Sequence, residues 1–318
     1  MKKQSSISPV SLHNILVIYK INHDQAYQNT IKIIKHLINQ YKSTIYIENL
    51  NEFTDKFEKI ENSHIIQFNP KEHSLHINLI VTIGGDGTIL WAHSLFNGYD
   101  NPYIIGFNLG TLGYLSYYSL DKYKEIFENI HISNGVSFES RATLEVLIHS
   151  SDESINGKYY NVLNEVVFEK GFNRKMIKTN ISLNNKDFTS IRGDGIIIST
   201  STGSTAYNLS CNGPILHYNI DGMILNAICP FSLSFRSIVF TNGNEIKVEL
   251  DKDCQSNEAN VNIDGIHFIK LNVSDSITVR LSSYDLKFII ITKFNGERNQ
   301  IWIDNLVDKL GFNSAFKN

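Results

Sequence analysis

Apolar and polar residues follow two different patterns in the two halves of the chain. In the first half, short apolar runs at 14–20, 44–48, 79–83 and 103–107 predict buried strands. Residues 24–42 instead carry apolar side chains at intervals of three and four, a spacing that predicts an amphipathic helix. Because strands and helix alternate here, we expect a parallel sheet with right-handed crossovers.

The first half also contains predicted helices at 88–96 and 121–130, while its residues 51–76 are polar and allow no assignment. The second half is predicted to be mostly β. After about residue 138, alternating or β-branched segments predict strands at 141–149, 159–169, 176–184, 194–200, 236–240, 246–250, 259–264 and 276–282. One short helix is predicted from Thr205 to Cys211, and residues 301–310 form a short segment with helical apolar spacing.

The change of pattern near residue 138 predicts two domains, which suits a chain of 318 residues. Residues 1–137 are expected to form an α/β domain with a parallel sheet, joined by residues 291–318 that pack back on it. Residues 138–290 are expected to form a β-rich domain.

Composition and charge narrow the classes of function. The net charge of −3 offers no basic excess for nucleic acid, and no apolar run is long enough to cross a bilayer. Lys2 and Lys3 are followed by no apolar stretch, so we expect no secretory signal. Three widely spaced cysteines, Cys211, Cys229 and Cys254, predict free thiols in a reducing compartment. We therefore expect a soluble, cytoplasmic protein.

The run Gly84–Thr88, with the sequence GGDGT, comes directly after the predicted strand 79–83. In open α/β sheets, ligands bind beyond the carboxyl ends of strands, and glycines there let backbone amides approach a phosphate. Asp86 has two possible uses among them: coordinating a metal ion that bridges phosphates, or accepting the proton of an attacking hydroxyl. The lysine of a P-loop is absent. The turn therefore predicts phosphoryl transfer and leaves the acceptor open.

Four further segments carry candidate binding residues. They are Asn108–Leu115, the pair Asn164-Glu165, Gly193-Asp194-Gly195 leading into Ser199–Tyr207, and Ile228–Arg236. In Ser199–Tyr207, hydroxyl side chains can cap a helix, and the amides of a helix starting near Thr205 could hold a diphosphate. Asn164 and Glu165 are adjacent on a predicted strand, so they would point to opposite faces unless the strand ends there.

Taken in this order, the five segments resemble the pattern of the NAD kinase family over residues 78–265. The GGDGT turn also resembles that of 6-phosphofructokinases and of diacylglycerol and sphingosine kinases, but the run ending in Gly-Ser-Thr-Ala-Tyr is specific to NAD kinases. Ile228–Arg236 resembles the eukaryotic version, and departures at Ser201, Phe231 and Ser237 indicate a divergent member. The resemblance implies a Rossmann-like or phosphofructokinase-like α/β domain, a β-rich second domain, and phosphorylation of NAD by ATP at the adenosine 2′-hydroxyl.

The resemblance also implies roles for individual residues. Asp86 would be the catalytic base, near the 2′-hydroxyl of an NAD molecule that lies between the domains. The residues implied in NAD binding are Asp86, Gly87, Asn164, Glu165, Lys175, Arg192, Asp194, Thr205, Ala206, Tyr207 and Ser210. Those implied in binding the phosphate donor are Gly84, Gly85, Gly87, Thr88 and Asn108. The family's late Asp-Gly turn matches Asp264-Gly265, but the last substrate contact, near His267, is not assigned.

Cofactor, partners and alternatives follow from the same resemblance. Mg²⁺ is expected on the ATP phosphates, with no protein ligand assigned, and inorganic polyphosphate is an alternative donor. A homodimer or homotetramer assembled through the β-rich domain is expected, with no nucleic-acid or membrane partner. Two other functions remain: a lipid or sugar kinase that shares the GGDGT turn, and a non-catalytic NAD(P)-binding regulator. The presence of Asp86 argues against the regulator.

Overall fold

A computed structural model describes residues 7–53, 64–97, 102–110, 113–133, 135–172, 175–254, 256–291 and 298–310. These residues form two compact units. The first takes the described residues of Met1–Leu95, Asn101–Glu139 and Lys287–Asn318, and the second those of Phe96–Asp100 and Ser140–Leu286. The units divide at 139 and 286, whereas the limits predicted from the sequence are 137 and 290.

The first unit opens with alternating strands and helices. Its elements in this part of the chain are β1 (Ile7–Ser8), β2 (Asn14–Tyr19), α1 (Asp24–Tyr41), β3 (Thr44–Ile47), β4 (Ile65–Gln67), α2 (Pro70–His73), β5 (Leu79–Ile83), α3 (Asp86–Ser94), β6 (Tyr103–Asn108), β7 (Tyr118–Ser119), α4 (Tyr123–Ile132) and β8 (Val136–Arg141). Short 3₁₀ turns at 50–52, 74–76 and 120–122 connect some of them. Helix α1 buries Ile34 and Leu37 in the same core as Val17 and Val81 of the sheet, as its apolar spacing predicts.

The second unit is built almost entirely of strands. Its elements are β9 (Leu144–His149), β10 (Tyr159–Val162), β11 (Glu165–Lys170), β12 (Ile177–Leu183), β13 (Lys186–Gly193), β14 (Gly195–Thr200), α5 (Tyr207–Ser210), β15 (Gly222–Ile228), β16 (Ile238–Thr241), β17 (Glu245–Leu250), β18 (Glu258–Ile263), β19 (His267–Asn272) and β20 (Ser276–Leu281). Within the described residues they form two six-stranded antiparallel sheets, ordered β10-β9-β20-β17-β12-β13 and β16-β15-β14-β11-β18-β19. Apolar side chains of both sheets share one core.

The last described part of the chain belongs to the first unit. It contains β21 (Leu286–Ile290) and α6 (Arg298–Leu310). Strand β21 joins the first unit's sheet, which has nine described strands in the order β1-β8-β21-β6-β5-β2-β3-β4, with β7 beside β6. The pairs from β21 through β6, β5, β2 and β3 to β4 are parallel. The predicted α/β domain with a parallel sheet, the β-rich domain and the returning C-terminal segment are thus confirmed.

Most predicted elements are present, and the differences have physical reasons. The strands that the sequence did not predict are β1, β4, β7, β8, β13, β15, β19 and β21. Strand β13 is a mostly exposed edge strand, so it lacks the alternation of apolar and polar residues that a half-buried strand shows. Strand β15 is buried throughout, but Gly222 and Asn226 interrupt its apolar residues, so it shows neither a long apolar run nor a regular alternation. No helix in the described residues is long and apolar enough to span a lipid bilayer.

Candidate active site

Three parallel strands end together at one edge of the first unit's sheet. Tyr19 of β2 lies opposite Ile83 of β5, and Ile83 lies opposite Phe107 of β6. The GGDGT turn, Gly84–Thr88, follows β5, and Asn108 ends β6. These predicted donor-binding residues therefore meet at the edge where open α/β sheets bind their ligands.

Helix α3 begins at Asp86, two residues before the predicted start at Thr88. The helix prediction was wrong at this end because Gly85, with extended backbone angles, is the capping residue. Asp86 thus lies in the first turn of α3, where the exposed amides of a helix N-terminus favour a negative charge. Its backbone is fixed by the helix, and its side chain projects from the helix start.

The carboxylate of Asp86 accepts four hydrogen bonds from a neighbouring turn. Its Oδ2 accepts one from the backbone N–H of Tyr114 at 2.8 Å. Its Oδ1 accepts three, from the N–H of Leu115 at 3.1 Å, the N–H of Ser116 at 3.1 Å and the Ser116 hydroxyl at 3.0 Å. Because a carboxylate oxygen has about two lone pairs, Oδ1 is fully occupied, whereas Oδ2 can accept a further hydrogen bond.

The turn that holds Asp86 is itself fixed by side chains. Asn108 donates from Nδ2 to Ser116 Oγ at 2.9 Å and accepts the N–H of Gly110 on Oδ1 at 2.9 Å. Asn305 of α6 donates to the carbonyl of Gly113 at 3.3 Å. The segment Asn108–Leu115 therefore orients Asp86, although residues 111 and 112 of this motif lie outside the described residues.

The glycines around Asp86 differ in how closely other atoms approach them. A Cβ on Gly113 would lie 2.7 Å from Asp86 Cγ, so this glycine permits the close approach of the two segments. A Cβ on Gly84 would lie 3.0 Å from Thr88 Cβ. Gly85 and Gly87, in contrast, have no atom within 4 Å of a Cβ position. Their backbone is accessible to a ligand, as the prediction of donor binding requires.

In the second unit, Asn164 and Glu165 lie at the start of a strand. Strand β11 begins at Glu165, and Asn164 is the residue before it, so the opposite-face arrangement of a continuous strand does not apply. Glu165 is buried, and its Oε2 has no hydrogen-bond partner among the described residues. Burial, and then the charge of Asp264, raise the pKa of Glu165 to about 8, against a hydrogen bond from the backbone N–H of Tyr207.

The Ser/Thr run packs directly against this pair. The N–H of Thr200 donates to the carbonyl of Asn164 at 2.9 Å, and its hydroxyl donates to the carbonyl of Leu163 at 2.6 Å. The same hydroxyl accepts the N–H of Gly203 at 2.9 Å. A Cβ on Gly203 would lie 2.7 Å from Asn164 Cα, so only glycine fits at this approach. The two motifs, distant in sequence, form one cluster.

Comparisons with known proteins agree with this geometry. The family model of the ATP-NAD kinase N-terminal domain matches residues 15–133, and that of the ATP-NAD kinase C-terminal domain matches residues 163–291. An NAD kinase of Lachnoclostridium phytofermentans is 34% identical over 216 residues, which cover 67% of this chain and 75% of that protein. The chain belongs to the NAD kinase family. The resemblance stated from the sequence is thereby confirmed.

Two further relatives show how far the likeness extends. A rice protein (Oryza sativa subsp. japonica) named probable NAD kinase 2, chloroplastic, is 30% identical over 306 residues. The match covers 94% of this chain but 30% of the rice protein, so the chain spans under a third of that relative's length. The crystal structure of yeast NADH kinase complexed with NADH has a TM-score of 0.83 and 26% identity, covering 98% of this chain and 90% of that one.

For this NAD kinase family member, the short helix predicted from Thr205 to Cys211 is present as the four-residue helix α5, Tyr207–Ser210, so the predicted start is wrong. A 3₁₀ turn at Gly203–Thr205 precedes α5, and Ala206 between them has non-helical backbone angles. The N–H of Ala206 donates to the carbonyl of Gly203 at 2.8 Å. The N–H of Tyr207 donates to Glu165. The amides near Thr205 therefore belong to a 3₁₀ turn and not to the start of an α-helix.

Of the remaining predicted NAD-binding residues, Asp194 and Arg192 contact charged or aromatic side chains of the same unit. Asp194 pairs with Lys170 at 2.7 Å and lies close enough to Tyr207 that its charge helps raise the pKa of that phenol, after burial and other neighbours. Arg192 places its guanidinium 5.3 Å from the ring centroid of Phe231. The others are Lys175, which is exposed before β12, Thr205, whose hydroxyl donates to the Thr202 carbonyl at 3.3 Å, and Ser210, which is exposed at the end of α5.

Two residues of the candidate site were not assigned from the sequence. Ser116 contacts Asp86 through both its N–H and its hydroxyl. Asp264 contacts the segment 163–165 through its carboxylate. The only sequence signal for Asp264 is the Asp264-Gly265 dipeptide, which predicts a turn but not what the side chain contacts. Ser116 has no such signal, because its partner lies 30 residues earlier in the chain.

Proposed function

We propose that the protein is an NAD kinase, which transfers the terminal phosphoryl group of ATP to the 2′-hydroxyl of the adenosine ribose of NAD. The observation that carries this proposal is the carboxylate of Asp86. It lies at the ligand-binding edge of a parallel sheet, beside the open glycines 85 and 87, and its Oδ2 can still accept a proton or hydrogen bond.

In the proposed reaction, Asp86 is the general base. As the ribose oxygen forms its bond to the terminal phosphorus, the bond from that phosphorus to the bridging oxygen breaks and ADP leaves. Oδ2 of Asp86 takes the hydroxyl proton, while Tyr114, Leu115 and Ser116 hold the carboxylate in place. Most of the catalysis in such transfers comes from alignment and charge neutralisation rather than from covalent help.

We propose that Glu165 and Asn164 bind the adenosine part of NAD. The buried Oε2 of Glu165 has no donor among the described residues, and a buried acceptor without a partner is costly. A ribose hydroxyl, which both donates and accepts a hydrogen bond, would supply a partner for Oε2 in either protonation state of Glu165. The amide of Asn164 suits an adenine edge, since it both donates and accepts. Tyr207 and Asp194, near this pair, are proposed to extend the NAD contact.

Mg²⁺ is proposed to enter with ATP. Among the described residues, no three His, Cys, Asp or Glu side chains group so as to hold a metal ion. Mg²⁺ prefers oxygen ligands and is commonly held by nucleotide phosphates with one or two protein oxygens, and the Thr88 hydroxyl offers such an oxygen in the turn. The ion would neutralise phosphate charge. Gly85 and Gly87 leave their backbone accessible to those phosphates, while the N–H of Gly84 donates to the carbonyl of Phe107 at 2.9 Å.

The test is an assay of the purified protein with ATP and Mg²⁺, following NADP by an NADP-specific dehydrogenase. NAD and NADH are offered as acceptors, and polyphosphate replaces ATP as donor in a parallel series. Diacylglycerol and fructose 6-phosphate serve as competing acceptors for the lipid and sugar kinase alternatives. NADP formation above a heat-inactivated control supports the proposal. Phosphorylation of either competing acceptor without NADP formation would refute it, and NAD binding without turnover would identify a regulator.

We further propose a homo-oligomer in the cytoplasm. Phe231, Leu233 and Val239 of the second unit are exposed apolar side chains close together in sequence, as expected where copies of a chain meet. Light scattering with size-exclusion chromatography tests the assembly, and a monomer at micromolar concentration would refute it. The three cysteines are all free, which suits a reducing compartment, and cell fractionation tests that location.

A further inference from the structure

In the turn between β18 and β19, the side chain of Asp264 accepts hydrogen bonds from the backbone N–H groups of residues 163–165. Asp264 accepts the N–H of Leu163 on Oδ2 at 2.7 Å. Its Oδ1 accepts the N–H of Asn164 at 2.8 Å and that of Glu165 at 3.0 Å. The N–H of Asp264 in turn donates to the carbonyl of Glu165 at 3.1 Å. One side chain therefore satisfies three successive amides of a segment about 100 residues earlier in the chain.

The local backbone makes this arrangement possible. Asp264 has a φ of +50° and Gly265 a φ of +71°, so both adopt the left-handed conformation of a tight hairpin turn. Asp and Asn tolerate this conformation better than most residues. The turn thereby directs the carboxylate of Asp264 away from its own hairpin and towards the start of β11.

The segment that Asp264 holds carries the two side chains proposed to bind NAD. Three hydrogen bonds to consecutive amides restrict the backbone of Asn164 and Glu165. The directions in which the two side chains project are therefore fixed. The carboxylates of Asp264 and Glu165 are also close enough for the charge of Asp264 to raise the pKa of Glu165. The two residues are therefore coupled both through the backbone and electrostatically.

Another aspartate of the same unit, Asp275, also bonds to backbone amides but lies away from the predicted binding residues. Asp275 accepts the N–H of Ser151 at 3.1 Å and that of Asn272 at 2.9 Å. It is 1% exposed, and neither of its partners is a predicted binding residue. Asp275 thus provides a matched comparison: the same side chain, bonded to backbone amides, away from the NAD cluster.

We infer that Asp264 is a positioning residue for NAD, acting through the backbone of residues 163–165 to orient Asn164 and Glu165. The inference rests on the proposed function. Asp264 does not itself touch the substrate in this account. Its loss should therefore weaken NAD binding while leaving the chemical step and ATP binding largely unchanged.

The test compares Asp264→Asn with Asp275→Asn in the full-length protein. Asn keeps the left-handed turn but places an NH₂ group opposite one of the three backbone N–H groups. For Asp264→Asn we expect a rise in the KM and Kd for NAD of about tenfold, as for loss of a charge-assisted hydrogen bond, with kcat and the KM for ATP within about twofold. Asp275→Asn should lower the thermal midpoint without changing the KM for NAD.

Two outcomes would overturn the inference: an unchanged KM and Kd for NAD in Asp264→Asn, or an equal rise in Asp275→Asn. Wild-type protein that forms no NADP would instead refute the proposed function, and the Kd for NAD, measured by calorimetry, would still test the inference. Asp264→Gly, which also permits the turn but removes the carboxylate, is the second variant. Circular dichroism and thermal unfolding establish that each variant is folded before its kinetics are compared.

Discussion

The substitution Asp86→Asn tests the proposed base most directly. The amide keeps the size of the carboxylate but cannot accept the hydroxyl proton. Its oxygen can replace Oδ1 and keep the three bonds from Leu115 and Ser116. Its NH₂ group then faces the N–H of Tyr114, so two donors meet where Oδ2 accepted a bond at 2.8 Å. The variant therefore changes both the base and one contact of the turn.

These two effects have different sizes and different readouts. Loss of a general base typically lowers the rate by about 10²–10⁴-fold, or about 3–5 kcal/mol in the barrier. Loss of one hydrogen bond to a charged group costs about 1.5–3 kcal/mol of stability, less here because Asp86 is only partly buried. We expect kcat to fall by at least about 100-fold, while the Kd for NAD changes little.

The assay measures NADP formation at saturating NAD and ATP, together with the Kd for NAD and the thermal midpoint. Ser116→Ala is the matched control, since it removes the hydroxyl bond of 3.0 Å to Asp86 and the bond of 2.9 Å from Asn108 but leaves the base. We expect its kcat to fall by less than the loss for Asp86→Asn, because the backbone N–H bonds to the carboxylate remain. A turnover of Asp86→Asn close to that of wild type would refute the role of Asp86 as base. Equal losses in the two variants would show that the turn, and not the proton acceptor, limits the reaction.

Three further substitutions test other parts of the site. Burial and Asp264 raise the pKa of Glu165 from 4.5 to about 8, so the folded state keeps a proton that the unfolded state loses. The free energy of unfolding should therefore fall as pH rises between those values, and Glu165→Gln should flatten this dependence in urea unfolding at several pH values. Gly203→Ala places a methyl group 2.7 Å from Asn164 Cα and should cost about 1–3 kcal/mol by thermal unfolding, with a weaker Kd for NAD. Gly85→Ala meets no atom within 4 Å, so its thermal midpoint should stay unchanged while the KM for ATP rises.

The fold was largely predictable from the sequence because its strands carry the two patterns that burial imposes. Strand β5 is buried at every position and reads as a continuous apolar run, and β17 alternates and reads as a half-buried strand. Strands without either pattern were missed. Strand β13 is exposed at its first five positions and is held by backbone pairing with β12, which no pattern of side chains records.

The residues of the candidate site were predictable as motifs, but not their hydrogen bonds. The run Gly84–Thr88 was found because a glycine turn after a buried strand is a local feature, and the pair Asn164-Glu165 was assigned through the family resemblance. The contact of Asp86 with Tyr114–Ser116, and that of Asp264 with residues 163–165, depend on which segments the topology brings together. The predicted helix start at Thr205 was wrong for a related reason. The hydroxyls of Ser199 and Thr200 donate to the carbonyls of Asn164 and Leu163, and the Thr200 hydroxyl also accepts the N–H of Gly203, so the first turn begins before Thr205.

The carboxylates of Asp86 and Glu165 differ in how many hydrogen-bond donors the protein supplies to them. This difference predicts which kinetic constant each set of variants should change. Asp86 receives four donors from one turn, so its position is fixed whether or not substrate is present. Glu165 receives the N–H of Tyr207 but has a buried Oε2 without a partner in the described residues, so it gains a donor only when a ligand arrives. Substitutions of Asp86 and of the turn 114–116 that holds it should therefore act mainly on kcat, and those around Glu165 mainly on the affinity for NAD. A set of variants in which both clusters changed the same kinetic constant would contradict this division of roles.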